Sequence, residues 1–164
     1  MRIHRDLCLS FVATSFGLGL LPWAPGTWGA LPGVGIYLAI VCWVPAGLQA
    51  WWIGGSLLGI CAATILLTPW AERYWARKDP KCFVTDEVAG FLATVLLFRT
   101  PNLWLTIAWA FVVTRAFDIV KIPPARQLEH LPAGWGVLLD DLASSLYAAA
   151  FLHLLRYALP AWFA

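Results

Sequence analysis

The distribution of charge constrains this chain more than any other feature of its sequence. None of residues 7–71 is Asp, Glu, Lys or Arg. A soluble domain needs polar surface along so long a stretch, whereas a segment inside a bilayer does not. The whole chain is 61% hydrophobic and 12% charged, against about 45–50% and about 25% in typical soluble domains. The sequence therefore predicts an integral membrane protein.

Apolar stretches separated by turn signals predict an all-α, polytopic membrane helical bundle with about four or five spans. A spanning helix needs about 20 mostly apolar residues, and Pro and Gly clusters divide the candidates. A short Gly-containing segment, residues 7–21, comes first and is expected to be a re-entrant or interfacial helix. The chain of 164 residues is expected to form one domain, residues 1–164. The candidate spans are residues 28–44, 50–70, 84–98, 103–120 and 137–159.

Basic residues concentrate in three segments, and their positions predict an orientation. If residues 28–44 and 50–70 form a hairpin, all three segments lie on one side of the membrane. Loops rich in Lys and Arg stay in the cytoplasm, so this side is predicted to be cytoplasmic. The segments carry Arg2 and Arg5, then Arg73, Arg77, Lys78 and Lys81, then Lys121 and Arg126.

Charge and cysteine spacing exclude other classes. The net charge is +2, and no basic patch with interleaved aromatic residues occurs, so a nucleic-acid partner is not expected. The four cysteines form no Cys-x-x-Cys pair and predict neither a zinc site nor a disulfide scaffold. The sequence carries no signature of a particular oligomeric state.

Five of the nine acids fall in three tight groups, all predicted near the cytoplasmic ends of helices. Adjacent carboxylates repel, and burial costs several kcal/mol per ion unless something compensates for it. Mg²⁺, which prefers oxygen ligands, is the simplest compensation, as one ion or two. The alternative is that these acids pair with basic residues or face water. The groups are Asp86 with Glu87, Asp118 alone, and Asp140 with Asp141.

Two basic residues flank the single acid. Arg115, Asp118 and Lys121 are spaced by threes, which places them within one broad helix face. Arg binds phosphate bidentately and Lys binds it as a point charge. An ion pair between Asp118 and either neighbour is the alternative, and both interpretations can hold at once.

A Gly- and Pro-rich turn, residues 17–29, precedes the first long span. It contains no Rossmann or P-loop fingerprint. Thr27 is a candidate helix cap, and free N–H groups at a helix start bind phosphate. Gly26 and Thr27 are therefore candidate substrate-binding residues, although a plain turn into the membrane is the simpler interpretation.

Four motifs in order resemble the phosphatidylglycerophosphatase A family of bacterial membrane enzymes, over nearly the whole chain. They are Gly-x-Gly-x-x-Pro-x-Ala-Pro-Gly-Thr-x-Gly at 17–29, Asp-Pro-x-x-x-Val-x-Asp-Glu-x-x-Gly at 79–90, Arg-x-Phe-Asp-x-x-Lys at 115–121 and Gly-x-Gly-Val-x-x-Asp-Asp at 134–141. The chain departs from the family pattern at Ala30, Ile122 and Ser144. These departures concern loop detail and helix packing rather than the acids.

The resemblance implies hydrolysis of phosphatidylglycerophosphate to phosphatidylglycerol and phosphate, with Mg²⁺ required, in the bacterial inner membrane. The metal ligands would be Asp86, Glu87, Asp118, Asp140 and Asp141. Arg115 and Lys121 would bind the phosphate, and Asp86 or Asp141 would orient or deprotonate the water. The alternatives are a phosphatase of another lipid such as phosphatidic acid, a divalent-cation transporter with acids near the midplane, and a structural membrane subunit.

Overall fold

The computed structural model describes residues 2–132 and 134–163. Every regular element in these ranges is helical, so the predicted fold class is confirmed. Among the described residues, four helical segments are long and apolar enough to cross a membrane: Pro25–Trp43, Ala46–Tyr74, Leu103–Val120 and Gly134–Ala158. The α-helices are α1 (Arg2–Ala13), α2 (Pro25–Gly29), α3 (Leu31–Trp43), α4 (Ala46–Tyr74), α5 (Thr85–Leu97), α6 (Leu103–Val120), α7 (Ala125–Leu128) and α8 (Gly134–Ala158), and short 3₁₀ helices cover Leu18–Leu20 and Pro160–Phe163.

Helix α5 occupies the predicted span 84–98 but differs from the other long helices. Its 13 residues rise about 20 Å, which is less than the roughly 30 Å of a hydrocarbon core. Nine of the 13 residues are buried, because α3, α4, α6 and α8 pack around it. Helix ends at membrane depth are tolerated when protein surrounds them. The predicted span 84–98 is therefore a short central helix.

Buried hydroxyl groups join α5 to three of its neighbours. Hydrogen bonds between helices contribute about 0.6 kcal/mol on average in a membrane, so three of them stabilise the register of the bundle without dominating its energy. The bonds join Thr64 to Thr85 (2.9 Å), Thr94 to Thr114 (2.7 Å) and the Ser145 hydroxyl to the Gly90 carbonyl (2.9 Å).

Apolar side chains fill the space around α5 on both sides of these bonds. Tyr37, Ile53 and Phe91 belong to one buried cluster between α3, α4, α5 and α6. Phe98 and Leu152 belong to a second cluster, at the end of α5 remote from its acids. The outer faces of the bundle remain apolar and exposed, as expected of surfaces that face lipid.

The N-terminal segment 7–21 does not form one helix. Helix α1 ends at Ala13, and positive φ angles at Ser15, Phe16 and Gly17 turn the chain. With 12 residues, α1 is too short to span a bilayer. The Trp70 indole donates a hydrogen bond to Asp6 (3.1 Å), which holds α1 beside the end of α4. This arrangement agrees with an interfacial helix.

Substitution of Gly134, at the start of α8, tests how closely α8 packs on α4. A Cβ at this position would lie 2.7 Å from the Ile65 Cα and 2.9 Å from the Thr68 hydroxyl. We expect Gly134→Ala to lower the free energy of unfolding by about 1–3 kcal/mol, because backbone must move. Thermal unfolding in detergent micelles measures the change.

Gly59→Ala is the matched control, since a Cβ at Gly59 on α4 would meet nothing within 4 Å. Alanine is the better helix former, so this variant is expected to keep or slightly raise stability. Equal melting temperatures for the two variants would contradict the close packing of α8 on α4.

Candidate active site

A cavity of about 700 Å³ opens at one end of the bundle and gathers nearly all the acids of the chain. The chain has nine acidic residues, and only Asp6 lies outside the cavity lining. All nine residues predicted for the site line this cavity: Gly26, Thr27, Asp86, Glu87, Arg115, Asp118, Lys121, Asp140 and Asp141. The acids that line it are Glu72, Asp79, Asp86, Glu87, Asp118, Glu129, Asp140 and Asp141.

Three helices bring the acids together from distant parts of the sequence. Asp86 and Glu87 lie in the first turn of α5, where the partial positive charge of the helix N-terminus favours carboxylates. Asp118 lies in the last turn of α6, where the helix charge is unfavourable to an acid and Arg115 offsets it. Asp140 and Asp141 lie in the second turn of α8 and are buried.

One carboxylate from each of these helices meets at a single point. Oxygen atoms of Glu87, Asp118 and Asp141 all lie within 4.8 Å of one another. Three carboxylates at this separation repel strongly in a protein interior. Their oxygen donors are of the type that Mg²⁺ prefers, so the residues present fit such an ion.

Arg115 supplies positive charge at the same point. Its guanidinium pairs with Glu87, and its Nη2 lies 3.1 Å from the Asp118 carboxylate. The three side chains are each about one-seventh exposed or less. The predicted ion pair between Asp118 and a neighbour is therefore present, made with Arg115. A phosphate or a cation entering here would compete with these contacts.

Lys121 pairs with Asp140 on α8 and with Glu129 rather than with Asp118. It ends α6 in the left-handed region (φ 45°), a strained conformation for a residue other than glycine. Its amino group donates to Asp140 (2.7 Å) and lies 3.5 Å from Glu129. Lys121 thus connects the end of α6 to α8 across the cavity.

The pKa values of Lys121 and Asp79, which both line the cavity, are shifted by burial and by neighbouring charges. Burial lowers the pKa of Lys121, but the hydrogen bond from its amino group to Asp140 and the nearby carboxylates raise it more, so its pKa lies well above the ordinary value. Burial raises the pKa of Asp79, and the charge of Lys121 opposes that rise. Lys121 is therefore a permanent cation beside the acids.

Two buried carboxylate oxygens have no hydrogen-bond partner among the described residues. They are Oδ1 of Asp86 and Oδ1 of Asp140. A buried unpaired acceptor is costly and is rare in folded proteins. Two such oxygens beside the Glu87, Asp118 and Asp141 group are a second reason to expect a bound cation.

The N-terminal turn packs directly against the acids. A Cβ at Gly26 would collide with the Glu87 carboxylate and lie 2.8 Å from Nη2 of Arg115. The prediction that Thr27 caps a helix is wrong, because α2 begins at Pro25 and has no side-chain cap. Thr27 lies inside α2 and contributes to the cavity lining. Pro25 has a φ angle suited to the first position of a helix, so α2 begins two residues before Thr27.

Sequence reasoning missed several residues of the cavity. Glu72, Asp79 and Glu129 line it but lie outside the three acidic groups. Asp79 opens the second motif, which was a usable signal, whereas Glu129 stands alone in its loop. Ser145 is buried outside the cavity lining and gave no signal in the sequence; its hydroxyl donates to the carbonyls of Gly90 and Asp141 and so aligns α5 with α8.

The helical bundle and its acid-lined cavity define a polytopic membrane protein with a polar site at one end of its helices. The chain belongs to the phosphatidylglycerophosphatase A family, whose model matches residues 11–156. It is therefore a lipid phosphatase, a phosphoric monoester hydrolase. The resemblance found in the four motifs is confirmed.

Two relatives extend the comparison. A Haemophilus influenzae protein named phosphatidylglycerophosphatase A is 30% identical over 151 residues, which cover 91% of this chain and 89% of that protein. A Bacteroides thetaiotaomicron protein, named as a candidate phosphatidylinositol-3-phosphatase, is 31% identical over 154 residues, covering 90% of this chain and 93% of that protein. No solved structure matches the chain.

Gly26 offers a test of the site geometry. We expect Gly26→Ala to lower phosphatase activity by about tenfold to a hundredfold, because the added methyl group displaces the Glu87–Arg115 pair and small displacements are costly in catalysis. Gly35→Ala is the control, since a Cβ there would meet nothing within 4 Å. The measurement is the initial rate of phosphate release by each variant, normalised to the amount of folded protein. Full activity in Gly26→Ala would show that the close contact is unimportant.

Proposed function

We propose that this enzyme hydrolyses phosphatidylglycerophosphate to phosphatidylglycerol and phosphate in phospholipid biosynthesis, with Mg²⁺ as cofactor. The observation that carries the proposal is the convergence of eight of the nine acids, with Arg115 and Lys121, on one cavity at one end of the bundle. A lipid whose head group reaches this end can keep its acyl chains in the bilayer. The Haemophilus relative carries the name of this activity.

The residues that would hold the ion are the five predicted acids. Glu87, Asp118 and Asp141 supply the converging oxygens, and Asp86 and Asp140 supply unpaired ones. Bound there, Mg²⁺ supplies positive charge that offsets the carboxylate repulsion and the charge of the phosphate.

Arg115 and Lys121 would bind the transferring phosphoryl group. Both are held by carboxylates at the cavity wall, which fixes their positions before the substrate arrives. Preorganised cations of this kind stabilise charge on phosphoryl oxygens, which is the main task in phosphoryl transfer. Arg115 can present two N–H groups to the phosphate, and Lys121 contributes a point charge.

Asp86 or Asp141 would orient the attacking water and accept its proton. The water oxygen forms a bond to phosphorus, the ester P–O bond breaks, and the released alcohol oxygen takes up a proton. Asp86 suits this role because one of its buried oxygens is unpaired. Asp141 suits it because it lies at the meeting point of the carboxylates.

One relative supports a second candidate substrate. The Bacteroides protein is named for phosphatidylinositol 3-phosphate, which is also a lipid phosphomonoester. Phosphatidic acid is a third lipid for comparison. A divalent-cation transporter is disfavoured, because its acids were expected near the midplane, whereas the first turn of α5 and the last turn of α6 carry them here.

The deciding experiment measures phosphate release from phosphatidylglycerophosphate by the purified protein in nonionic detergent, with Mg²⁺ and with chelator. We expect release to require Mg²⁺ and to fall at least a hundredfold in Asp86→Asn and in Asp141→Asn, since each loses a charged ligand or proton acceptor. Asp6→Asn is the control, because Asp6 is the acid outside the cavity. Its activity should be unchanged.

The other outcomes separate the alternatives. Release from phosphatidylinositol 3-phosphate or phosphatidic acid, but not from phosphatidylglycerophosphate, would keep the chemistry and change the substrate. Full activity in chelator would overturn the role of the metal. Normal rates in both Asp→Asn variants would place the active site elsewhere.

We further propose that the protein lies in a bacterial inner membrane with the cavity on the cytoplasmic side. The basic loops lie at the same end of the bundle as the cavity, and such loops stay in the cytoplasm. In a variant with Ser at all four cysteine positions, Gln127→Cys marks the cavity end and Gly47→Cys the opposite end. A membrane-impermeant thiol reagent on intact cells should label only the Gly47→Cys protein. Retained phosphatase activity is the control for folding, and labelling of Gln127→Cys instead would reverse the orientation.

A further inference from the structure

The basic residues of the cavity fall into two groups. Arg115 and Lys121 are engaged by carboxylates, as described above. Lys78, Lys81 and Arg126 line the same cavity but take part in none of the ion pairs found in residues 2–132 and 134–163. The three are exposed. The cavity therefore contains a second set of cations that no described carboxylate neutralises.

This second set comes from two separate segments. Lys78 and Lys81 lie in the loop between α4 and α5, and Arg126 lies on α7. Both segments also contribute acids to the lining, Asp79 from the loop and Glu129 after α7, and Glu129 is paired with Lys121. Two loops that are distant in sequence thus bring three unpaired cations to one cavity.

We propose that Lys78, Lys81 and Arg126 form a second anion subsite, which binds the phosphodiester of a lipid head group while its terminal phosphomonoester lies at the acids. The proposal rests on the proposed function and deepens it, since it defines the substrate class as lipids with two phosphates. Phosphatidylglycerophosphate belongs to this class, as does phosphatidylinositol 3-phosphate. Phosphatidic acid, which has only the monoester, does not.

The dimensions and charges of the cavity suit such a ligand. Its volume of about 700 Å³ lies within the range of about 300–1,000 Å³ typical of small-molecule sites. The terminal phosphomonoester would be bound by a cation held by the acids and by Arg115 and Lys121. The phosphodiester has a single negative charge, and Lys and Arg side chains bind such groups by charge-assisted hydrogen bonds.

The same cations could instead attract anionic lipids of the bilayer surface in general. The positions of Lys78, Lys81 and Arg126 favour substrate binding over this general attraction. Arg73 and Arg77 belong to the same basic segment and would serve a general surface attraction equally well, but neither lines the cavity. Within that basic segment only Lys78 and Lys81 line the cavity, and Arg126 joins them there from α7.

The experiment compares kcat/KM for phosphatidylglycerophosphate and phosphatidic acid in nonionic mixed micelles at equal surface concentration. The variants are Lys78→Ala/Lys81→Ala and Arg126→Ala, with Arg73→Ala/Arg77→Ala as the control that matches the charge change of the double variant. We expect the first two to lose about tenfold in kcat/KM for phosphatidylglycerophosphate, mainly through KM, and less than about twofold for phosphatidic acid. The control should change neither.

Each other outcome overturns the proposal. Equal losses on both lipids would assign the cations to monoester binding or to folding. Losses that appear only when anionic lipid is added to the micelles, or that the Arg73→Ala/Arg77→Ala control shares, would assign them to surface attraction. No loss would exclude a role in binding. Failure of the proposed function is distinct, because the unaltered enzyme would then release no phosphate from phosphatidylglycerophosphate.

Discussion

Repulsion among the carboxylates of the cavity is the constraint on which the rest of this structure depends. Asp86, Glu87, Asp118, Asp140 and Asp141 come together from three helices, and two of them are almost fully buried. Each buried charge loses several kcal/mol of solvation, so the arrangement persists only with compensating positive charge. Arg115 and Lys121 supply part of it, and one oxygen each of Asp86 and Asp140 has no hydrogen-bond partner among the described residues.

Holding repelling groups in place requires a rigid support, and α5 provides it. This helix is too short to span a bilayer, yet its neighbours surround it and hydroxyl groups of three of them bond to it. Its N-terminus is therefore held in place, and Asp86 and Glu87 in its first turn also gain from the helix dipole. Glycines at positions 26 and 90 permit the close approach of the N-terminal turn and of Ser145 to this helix.

The position of the site follows from the same architecture. The ends of α5, α6 and α8 form a polar cavity at one end of an otherwise apolar bundle. A lipid phosphatase needs this combination, because its substrate has a charged head group and chains that remain in hydrocarbon.

Much of this protein follows from the sequence alone. The charge-free residues 7–71 require a membrane, and the bounds of α6 could be predicted because Pro101 and Lys121 mark its ends in an otherwise apolar run. The acids could be identified because paired charges next to apolar segments are too costly to occur without a function. Only the tertiary structure decided which acids meet, that Lys121 turns to Asp140 rather than Asp118, and that α5 is a short buried helix. The reason is that local pattern determines whether a segment is helical and apolar, whereas helix packing and the left-handed turn at Lys121 determine which side chains face one another.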